Sequence, residues 1–339
     1  MQLTDKKVLQ EASVRFGISN ELKELSEGFQ NLVYSYNCQN KEYILRITPA
    51  YKKNRNQIEA ELHWVKFLKN NGVSVSGAIP SQRNVLVEEV HVNNQIYCIT
   101  SFEKAVGRPV DVNDERVWNP HLFKEWGRLL GEIHCVGKSF RVSDQKTKRL
   151  KWELSHPYNH ELFLDIPQNW LDEKYKEIVD KLMTFSKDDD HFGLIHNDFH
   201  QGNFFVEEGK ITVFDFDDCS YFWFAYDIAT AFYHAYWQHN SFNSSEDDFA
   251  FEFLTHFLNG YRSENKLTDN MIEQLPAFLK LRELFLYVLF LQVWNHDNLQ
   301  DWQNYTLNNL KTNIVNGNAF ANLHKEQLVK IKQRLSEPL

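Results

Sequence analysis

The densest polar cluster of the chain lies in LIHNDFHQGNFFVEEGKITVFDFD, residues 194–217, where apolar residues bracket the polar ones. Short β-branched and aromatic runs around polar residues are typical of strands joined by a loop. We therefore predict two short strands around a polar loop that carries Asp198 and Asn203. Asp215 and Asp217 follow at the end of the second strand.

Two of these carboxylates have large apolar neighbours, since Asp215 and Asp217 flank Phe216. Burying a charge costs on the order of several kcal/mol unless the charge is paired or bound to a metal. A divalent cation bound among Asp198, Asn203, Asp215 and Asp217 would remove most of that cost. One or two carboxylates together with substrate phosphates are the ligands that Mg²⁺ prefers. The stretch therefore predicts a magnesium site.

The spacing H-x-D-x-x-x-x-N followed by D-F is the spacing of the catalytic loop and metal-binding aspartate of protein kinases. Here Asp-Phe-Asp replaces Asp-Phe-Gly. Together with YDIA at 226–229 and LLGEIH at 129–134, the stretch resembles the aminoglycoside phosphotransferase/choline kinase family. The resemblance implies an α+β, bilobal, protein-kinase-like fold. Its parts would be a small β-rich N-lobe at 1–100, a hinge at 101–107, and a larger, mostly helical C-lobe at 108–339.

The resemblance also implies a role for each polar residue of the loop. Asp198 would be the catalytic base or positioning group for a substrate hydroxyl. Asn203 and Asp215 would hold Mg²⁺ against the nucleotide phosphates, and Asp217 would assist the second metal ion. Phosphoryl transfer needs mainly alignment and charge neutralisation, which such a set supplies.

Two further residues of the family pattern are expected to be structural. His196 would pack and hydrogen-bond beneath the loop. Asp227 would either cap the helix that it begins or bind the backbone of the catalytic loop.

In the N-terminal part, the run YILRI places Arg46 where the family has a basic residue on its third strand. Kinases use lysine there, and a guanidinium can contact phosphates in a bidentate manner. Its acidic partner is expected on the following helix. Glu61 shares a face with Ile58 and is favoured, and Glu59 is the alternative.

Two other segments are expected at the nucleotide from their position in the family. Residues 26–31, SEGFQN, lie where a glycine-rich phosphate loop belongs and include Gly28 and Asn31. With one glycine, a plain turn is an equal interpretation. Backbone groups of the hinge would contact adenine, through Ser101, Phe102, Glu103 and Lys104. The donor would be ATP, and GTP is not excluded.

Periodicity predicts the remaining elements. Strands are expected at 31–36 and 42–48, and at 85–92 and 95–100, each pair forming a hairpin. One N-terminal helix is expected at 57–69, ended by the Asn-Asn-Gly at 70–72. A second helix is expected to be capped by Asn113 or Asp114 and to run through Cys135.

Composition narrows the class of protein. The 339 residues are 42% hydrophobic, which supports a sizeable core. A net charge of −9 disfavours nucleic acid as a partner. The four cysteines form no C-x-x-C pair.

The N-terminus lacks an apolar signal core, and the most apolar stretch, 281–294, is too short to span a bilayer. We expect a cytoplasmic protein without a membrane partner, whose oligomeric state the sequence does not indicate.

Three alternatives remain at this point. His196, Asp198 and His200 are plausible metal ligands, which would give a metal-dependent hydrolase. A pseudokinase or binding module would keep the fold without the chemistry. A protein Ser/Thr kinase is a third option, although the short interval between Asp217 and Asp227 leaves little room for an activation segment.

The acceptor would meet an aromatic region with interspersed acids. Aromatic faces and carboxylates suit a cationic amine, so we expect an amino alcohol or amino sugar as the small-molecule acceptor. Aromatic residues at helical spacing are, however, more often core than ligand contacts. The acids are Asp217, Asp218, Glu252 and Glu283. The aromatic residues are Tyr221, Phe222, Trp223, Phe224, Tyr226, Tyr233, Trp237, Phe285, Tyr287, Phe290, Trp294 and Trp302.

Overall fold

The computed structural model describes residues 6–27, 31–142, 149, 169–242 and 248–337. The chain forms two compact units that alternate along the sequence. The first comprises Met1–Gly107, Phe140–Arg149 and Thr212–Asp217, and the second comprises Arg108–Ser139, Leu150–Ile211 and Asp218–Leu339. Asp215 and Asp217 therefore belong to the first unit, whereas Asp198 and Asn203 belong to the second. The lobe boundaries given above stay predictions.

The first unit contains a six-stranded antiparallel sheet and, in its described residues, two helices. In chain order its elements are α1 (Lys6–Phe16), β1 (Lys23–Glu27), β2 (Leu32–Cys38), β3 (Lys41–Pro49), α2 (Arg55–Asn70), β4 (Ala78–Ile79), β5 (Glu88–Val92) and β6 (Gln95–Glu103). The sheet order is β1-β2-β3-β6-β4, and β5 also pairs with β6. A core of buried apolar side chains, including Tyr34, Leu45 and Ile99, joins α1 to the sheet.

Helix α2 begins where its capping residues allow. Asn54 accepts a hydrogen bond from the Gln57 backbone N–H, and the Gln57 side chain accepts one from the Asn54 N–H. This reciprocal capping satisfies donors at the helix start. Ile58, Leu62, Val65 and Leu68 lie on its buried face, as predicted, and Glu61 is buried with them.

One helix and two strand boundaries differ from the prediction for the first unit. The expectation of a single helix is wrong, because Val8, Ala12 and Phe16 recur at helical spacing and are buried in α1. Strand β5 begins at Glu88, not at residue 85, since the Ser81 N–H donates to the Val85 carbonyl in a turn. Strand β6 continues through Glu103 because β3 and β4 pair with its last residues on either side.

The second unit is mainly helical. In its described residues the elements are α3 (Pro120–Gly137), α4 (Asn169–Leu182), β7 (Phe192–Ile195), β8 (Phe204–Glu207), β9 (Lys210–Val213), β10 (Ser220–Trp223), α5 (Phe224–Phe242), α6 (Phe249–Glu264), α7 (Asp269–Val293), α8 (Asp301–Asn316) and α9 (Lys325–Ser336). Strand β7 pairs with β10, and β8 pairs with β9. The chain passes into the first unit within β9. Across the described ranges, no helix combines the length and apolarity needed to cross a bilayer.

The predicted start of α3 is wrong. Its capping residue is Asn119, whose side chain accepts hydrogen bonds from the backbone N–H groups of His121 and Leu122. Pro120 forces the preceding residue into extended backbone, so a helix beginning at Asn113 or Asp114 could not continue through this position.

Helices α3 and α6 approach each other closely because glycines lie at their contact. A Cβ atom on Gly127 would lie 1.8 Å from the Phe257 carbonyl oxygen, and one on Gly260 would lie 1.8 Å from the Lys124 carbonyl oxygen. A buried aromatic cluster packs beside this contact, with the Trp126 ring 4.9 Å from that of Phe204. The cluster also includes Phe199, Phe253 and Phe257.

Candidate active site

The polar loop follows β7 in the second unit and ends in a single 3₁₀ turn, Gln201–Asn203. Asn197 has φ +76°, a left-handed conformation that asparagine tolerates better than most residues. The Asp227 carboxylate accepts the backbone N–H groups of His196 at 2.8 Å and of Asn197 at 2.7 Å. Of the two uses expected for Asp227, the structure shows the tie to the loop backbone.

Asp227 is itself held by a buried chain of side chains. The Nε2 atom of His134 lies 3.1 Å from its carboxylate, and Nδ1 of His134 lies 3.0 Å from the Tyr261 hydroxyl. Asn265 in turn donates to that hydroxyl at 2.8 Å. A carboxylate only accepts, so His134 donates from Nε2 and accepts at Nδ1. These hydrogen bonds join helices α3, α5 and α6 beneath the polar loop.

His134 makes stability depend on pH. Burial lowers its pKa below the ordinary value of about 6.5, although Asp227 opposes the shift and Lys138 adds to it. Near pH 6 the unfolded chain therefore binds more protons than the folded one, so the unfolding free energy falls as pH decreases below 6.5. We expect the thermal midpoint to fall between pH 7.5 and 5.5, and to fall less in His134→Gln. Equal pH slopes in the two proteins would contradict this assignment.

His196 lies beneath the loop in the manner expected of a structural residue. Its ring stacks on Phe199 with centroids 5.4 Å apart, and its Nδ1 atom accepts the Asp198 N–H at 3.3 Å. Phe199 is fully buried against Trp126, which anchors the loop next to Asp198. These apolar contacts fix the backbone from which the Asp198 carboxylate projects.

The Asp198 carboxylate is held by three side chains and remains accessible, with 27% of its side chain exposed. Nη2 of Arg282 lies 2.5 Å from Oδ1, and Nε2 of His200 lies 3.3 Å from Oδ2. Burial raises the pKa of Asp198, but His200 and Arg282 outweigh it and hold that pKa well below its ordinary range. The group is therefore an ionised carboxylate of fixed orientation at neutral pH.

Asn203 is oriented by the same loop. Its Nδ2 atom donates to the Asp198 carbonyl oxygen at 2.9 Å and to the Asp198 carboxylate at 3.2 Å. Because the amide nitrogen is engaged in this way, Oδ1 is the atom of Asn203 that can bind a metal. The amide thus suits the ligand role predicted for it.

In the first unit, Arg46 forms a bidentate pair with Glu61, with distances of 2.9 Å and 2.7 Å. Glu59 pairs with Arg55 instead. Burial alone would lower the pKa of Arg46, but Glu61 and the nearby Asp217 and Asp215 reverse this and raise it. The guanidinium is thus a permanent positive charge, and it lies 3.9 Å from carboxylate oxygens of both aspartates.

The two aspartates of the Asp-Phe-Asp segment differ in their surroundings. Asp217 is buried, and its carboxylate contacts Lys53 Nζ at 2.8 Å and Asn31 Nδ2 at 2.8 Å. Burial raises the pKa of Asp217, but Lys53 and Arg46 outweigh it and lower that pKa. Asp215 has φ +62° and 49% of its side chain exposed. Of the two, Asp215 presents its carboxylate to a ligand.

Lys53 and Arg149 are site residues that sequence reasoning missed. The Asp217 carbonyl oxygen accepts from Lys53 at 2.9 Å and from Arg149 at 2.7 Å. Two backbone contacts hold the preceding residues in the same unit, because the Ser76 N–H donates to the Val213 carbonyl and the Val213 N–H donates to the Ser74 carbonyl. The Asp-Phe-Asp segment is therefore fixed at both ends.

The oxygen donors that each unit carries suit magnesium better than a transition metal. Among the described residues, no group of three His, Cys, Asp or Glu side chains gathers in a metal-binding arrangement. Mg²⁺ commonly uses one or two carboxylates and completes its coordination with substrate phosphates and water. The accessible Asp215 carboxylate and the amide oxygen of Asn203 provide ligands of that kind.

The other residues predicted at the nucleotide are placed as follows. Ser101, Phe102 and Glu103 form the end of β6, and the Glu103 N–H donates to the Gly77 carbonyl at 2.9 Å. Phe102 lies under the Arg46 guanidinium at 5.0 Å, and Lys104 pairs with Glu42. Strand pairing engages backbone groups of residues 101–103, and contact of residues 101–104 with adenine stays a prediction. The prediction for Gly28 lies outside the described residues.

Fold and site now define the class of protein. The chain belongs to the phosphotransferase enzyme family, whose family model matches residues 21–265. It is a small-molecule kinase that transfers a phosphoryl group to a hydroxyl. Amicoumacin kinase of Bacillus subtilis (strain 168) is 32% identical to it over 314 residues, which cover 92% of this chain and 93% of that protein.

Solved structures agree with this assignment. Amicoumacin kinase hAmiN, in complex with AMP-PNP, Ca²⁺ and Ami, is 30% identical, with a TM-score of 0.87 over 94% of this chain and 95% of that one. A microcompartment-associated aminopropanol kinase shares the fold, with a TM-score of 0.68 and 21% identity over 94% of this chain and 99% of that one.

These similarities decide several predictions. The resemblance, the α+β kinase-like fold and the enzyme class are confirmed. The metal-dependent hydrolase is excluded as the class, and an inactive binding module is disfavoured. The individual roles of the site residues stay predictions.

Proposed function

We propose that this enzyme transfers the γ-phosphoryl group of ATP, with Mg²⁺, to a hydroxyl of amicoumacin or a related small molecule. The observation that carries the proposal is the Asp198 carboxylate, which is ionised, accessible and held by Arg282 and His200. Similarity to amicoumacin kinase over nearly the whole length of both chains supports the choice of acceptor.

In this proposal each residue has a defined task. Asp198 orients the acceptor hydroxyl and receives its proton as the phosphoryl group is transferred. Asn203 and Asp215 would each offer an oxygen ligand to Mg²⁺, which would neutralise charge on the phosphates when bound. Arg46, fixed by Glu61, supplies positive charge at the donor. Asp217 keeps the segment of Asp215 in place through Lys53 and Asn31, and the metal role predicted for it stays a prediction.

The nucleotide contacts predicted for Asn31, Gly28 and residues 101–104 remain part of this proposal. The Asn31 side chain is oriented within the protein, because the Thr48 hydroxyl donates to its Oδ1 atom at 2.7 Å and its Nδ2 atom donates to Asp217. We propose ATP as the donor, with GTP as the alternative to be compared. The relative in complex with AMP-PNP supports an adenine nucleotide.

Recognition of an amine is constrained by internal ion pairs. Glu283 is buried and bound by Lys280 at 2.5 Å, and Asp217 is bound by Lys53. These two carboxylates are thus neutralised within the protein and are poor partners for a charged acceptor. Many of the aromatic residues are core, whereas Trp302 is 54% exposed with its ring 5.3 Å from that of Trp294. Aromatic faces of this kind would contact a cationic or planar acceptor.

The proposed setting is the cytoplasm. The four cysteines all lie in the described residues, and none is in a disulfide, as is usual in reducing compartments: Cys38, Cys98, Cys135 and Cys219. No nucleic acid or membrane partner is part of the proposal.

A direct assay tests the function. The full chain is incubated with ATP or GTP, with Mg²⁺, Ca²⁺ or EDTA, and with amicoumacin, amino alcohols, aminoglycosides or neutral alcohols. We expect a phosphorylated acceptor, detected by mass spectrometry, only with a nucleotide and a divalent cation, and fastest with amicoumacin. Transfer confined to neutral alcohols would contradict the proposed acceptor class, and nucleotide binding without transfer to any acceptor would contradict the function.

A further inference from the structure

Arg282 is a buried cation in the middle of α7, with 4% of its side chain exposed. Its Nη2 atom lies 2.5 Å from Asp198 Oδ1 and 2.6 Å from His234 Nε2. Its Nε atom donates to the same His234 nitrogen at 3.2 Å, and Nη1 lies 3.5 Å from the Tyr226 hydroxyl. The guanidinium therefore binds the Asp198 carboxylate and the His234 ring at the same time.

The contacts fix the chemical state of His234. Arginine only donates, so Nε2 of His234 must carry the lone pair, and the imidazole is neutral with its proton on Nδ1. A neutral ring is also what its surroundings favour, since burial, Arg282 and His200 lower the pKa of His234 well below its ordinary value. The His234 ring also stacks on that of His200, with centroids 4.6 Å apart. His234 thus accepts hydrogen bonds from Arg282 and leaves the pairing of the guanidinium with Asp198 in place.

Pairing with Asp198 offsets the free-energy cost of burying the Arg282 guanidinium. A buried guanidinium is retained only when it is paired and hydrogen-bonded, and Asp198 is the carboxylate that it contacts. The contact joins α7 to a loop 84 residues earlier in the chain. It fixes the rotation of the carboxylate plane, which His200 and Asn203 then approach from Oδ2.

We propose that Arg282, oriented by His234, is a positioning residue of the phosphoryl transfer, because it sets the orientation of the Asp198 carboxylate toward the acceptor. This inference rests on the proposed function. It makes Arg282 act through Asp198 and assigns it no contact with the nucleotide. A misplacement of about 1 Å at a reacting group can lower a rate by about 10²-fold, so the expected effect is large.

A mutant cycle tests this role in the full chain. We expect Arg282→Gln to lower kcat by about 10²-fold with little change in KM for ATP. Arg282→Lys keeps the charge but loses the fork, so we expect partial recovery. In the Asp198→Asn background, Arg282→Gln should have no further effect on single-turnover rates, since both changes remove the same oriented carboxylate. Lys332→Gln, which breaks the ion pair at 2.6 Å with Glu273 on the same helix as Arg282, is the matched control and should leave kcat unchanged.

His234 provides a second pair of variants. His234→Gln retains a side-chain acceptor for Arg282, whereas His234→Leu removes it. We expect kcat of the leucine variant to fall by about as much as kcat of Arg282→Lys. We expect kcat of the glutamine variant to fall less. All rates are expressed per folded molecule from circular dichroism.

The outcomes separate this inference from the proposed function. If the wild-type protein phosphorylated no acceptor, the proposed function would be wrong. The mutant cycle would then be measured as the rate of ATP hydrolysis, in which water takes the place of the acceptor. Additive effects of Arg282→Gln and Asp198→Asn would overturn the positioning role. So would an Arg282→Gln variant that is less stable but has normal kcat per folded molecule.

Discussion

Asp198→Asn is expected to lower kcat for acceptor phosphorylation by about 10²- to 10⁴-fold while leaving the affinity for nucleotide nearly unchanged. The loss follows from removal of the group that receives the acceptor proton, whose contribution in enzymes is of this size. Affinity should persist because the asparagine keeps the shape of the side chain. Turnover is measured in an acceptor assay, and affinity by calorimetry with AMP-PNP and Mg²⁺.

Asp198→Ala provides the contrast. Both substitutions remove the negative charge beside Arg282, but asparagine keeps an amide oxygen that can accept a hydrogen bond from the buried guanidinium, whereas alanine offers no acceptor. We therefore expect the alanine variant to unfold at a clearly lower temperature than the asparagine variant, with kcat at least as low. Normal turnover in Asp198→Asn would show that the catalytic assignment is wrong.

Asp215→Asn is expected to abolish the Mg²⁺-dependent part of nucleotide binding. Outer-shell partners of a metal typically contribute roughly 10- to 100-fold in affinity, so loss of a direct carboxylate ligand should exceed that. The Asp215 side chain is half exposed, and the nearby Arg46 keeps its bidentate pair with Glu61, so the fold should be retained. Calorimetric titration of AMP-PNP with Mg²⁺ and with EDTA measures the effect.

Glu208→Gln is the matched control for this change. Glu208 is an exposed carboxylate in the turn between β8 and β9 and also has a positive φ. We expect its Mg²⁺-dependent affinity to equal that of the wild type. If Asp215→Asn bound Mg²⁺ and nucleotide as tightly as this control does, the metal site would have to be placed elsewhere.

The parts of the site that the sequence predicts are local. Asp198 and Asn203 are five residues apart on one loop, so their contact follows from the motif. Arg46 and Glu61 lie on a strand and the next helix, where periodicity indicates which acid faces inward. Arg282 lies 84 residues from Asp198, and no motif in its helix marks it as a partner of that carboxylate. Only the packing of α7 against the loop reveals it.

The same reasoning explains what was missed in the first unit. Lys53 lies 164 residues from Asp217 in a short polar connection, and single lysines in such connections are common. The return of residues 212–217 to the first unit depends on backbone hydrogen bonds with residues 74–76, which leave no side-chain pattern. Asn-Pro at 119–120 indicates where α3 begins, but apolar residues continue at helical spacing upstream of it and favour an earlier start.

The glycine contact between α3 and α6 also limits how this protein can diverge. A side chain at Gly127 or Gly260 would meet backbone atoms, which cannot rotate aside, so the two helices would have to separate. His134 and Tyr261 lie on those helices and meet at 3.0 Å, so any separation would break their bond beneath Asp227. A related sequence that replaces either glycine should therefore also have a different support for its catalytic loop, and the two changes should be inherited together.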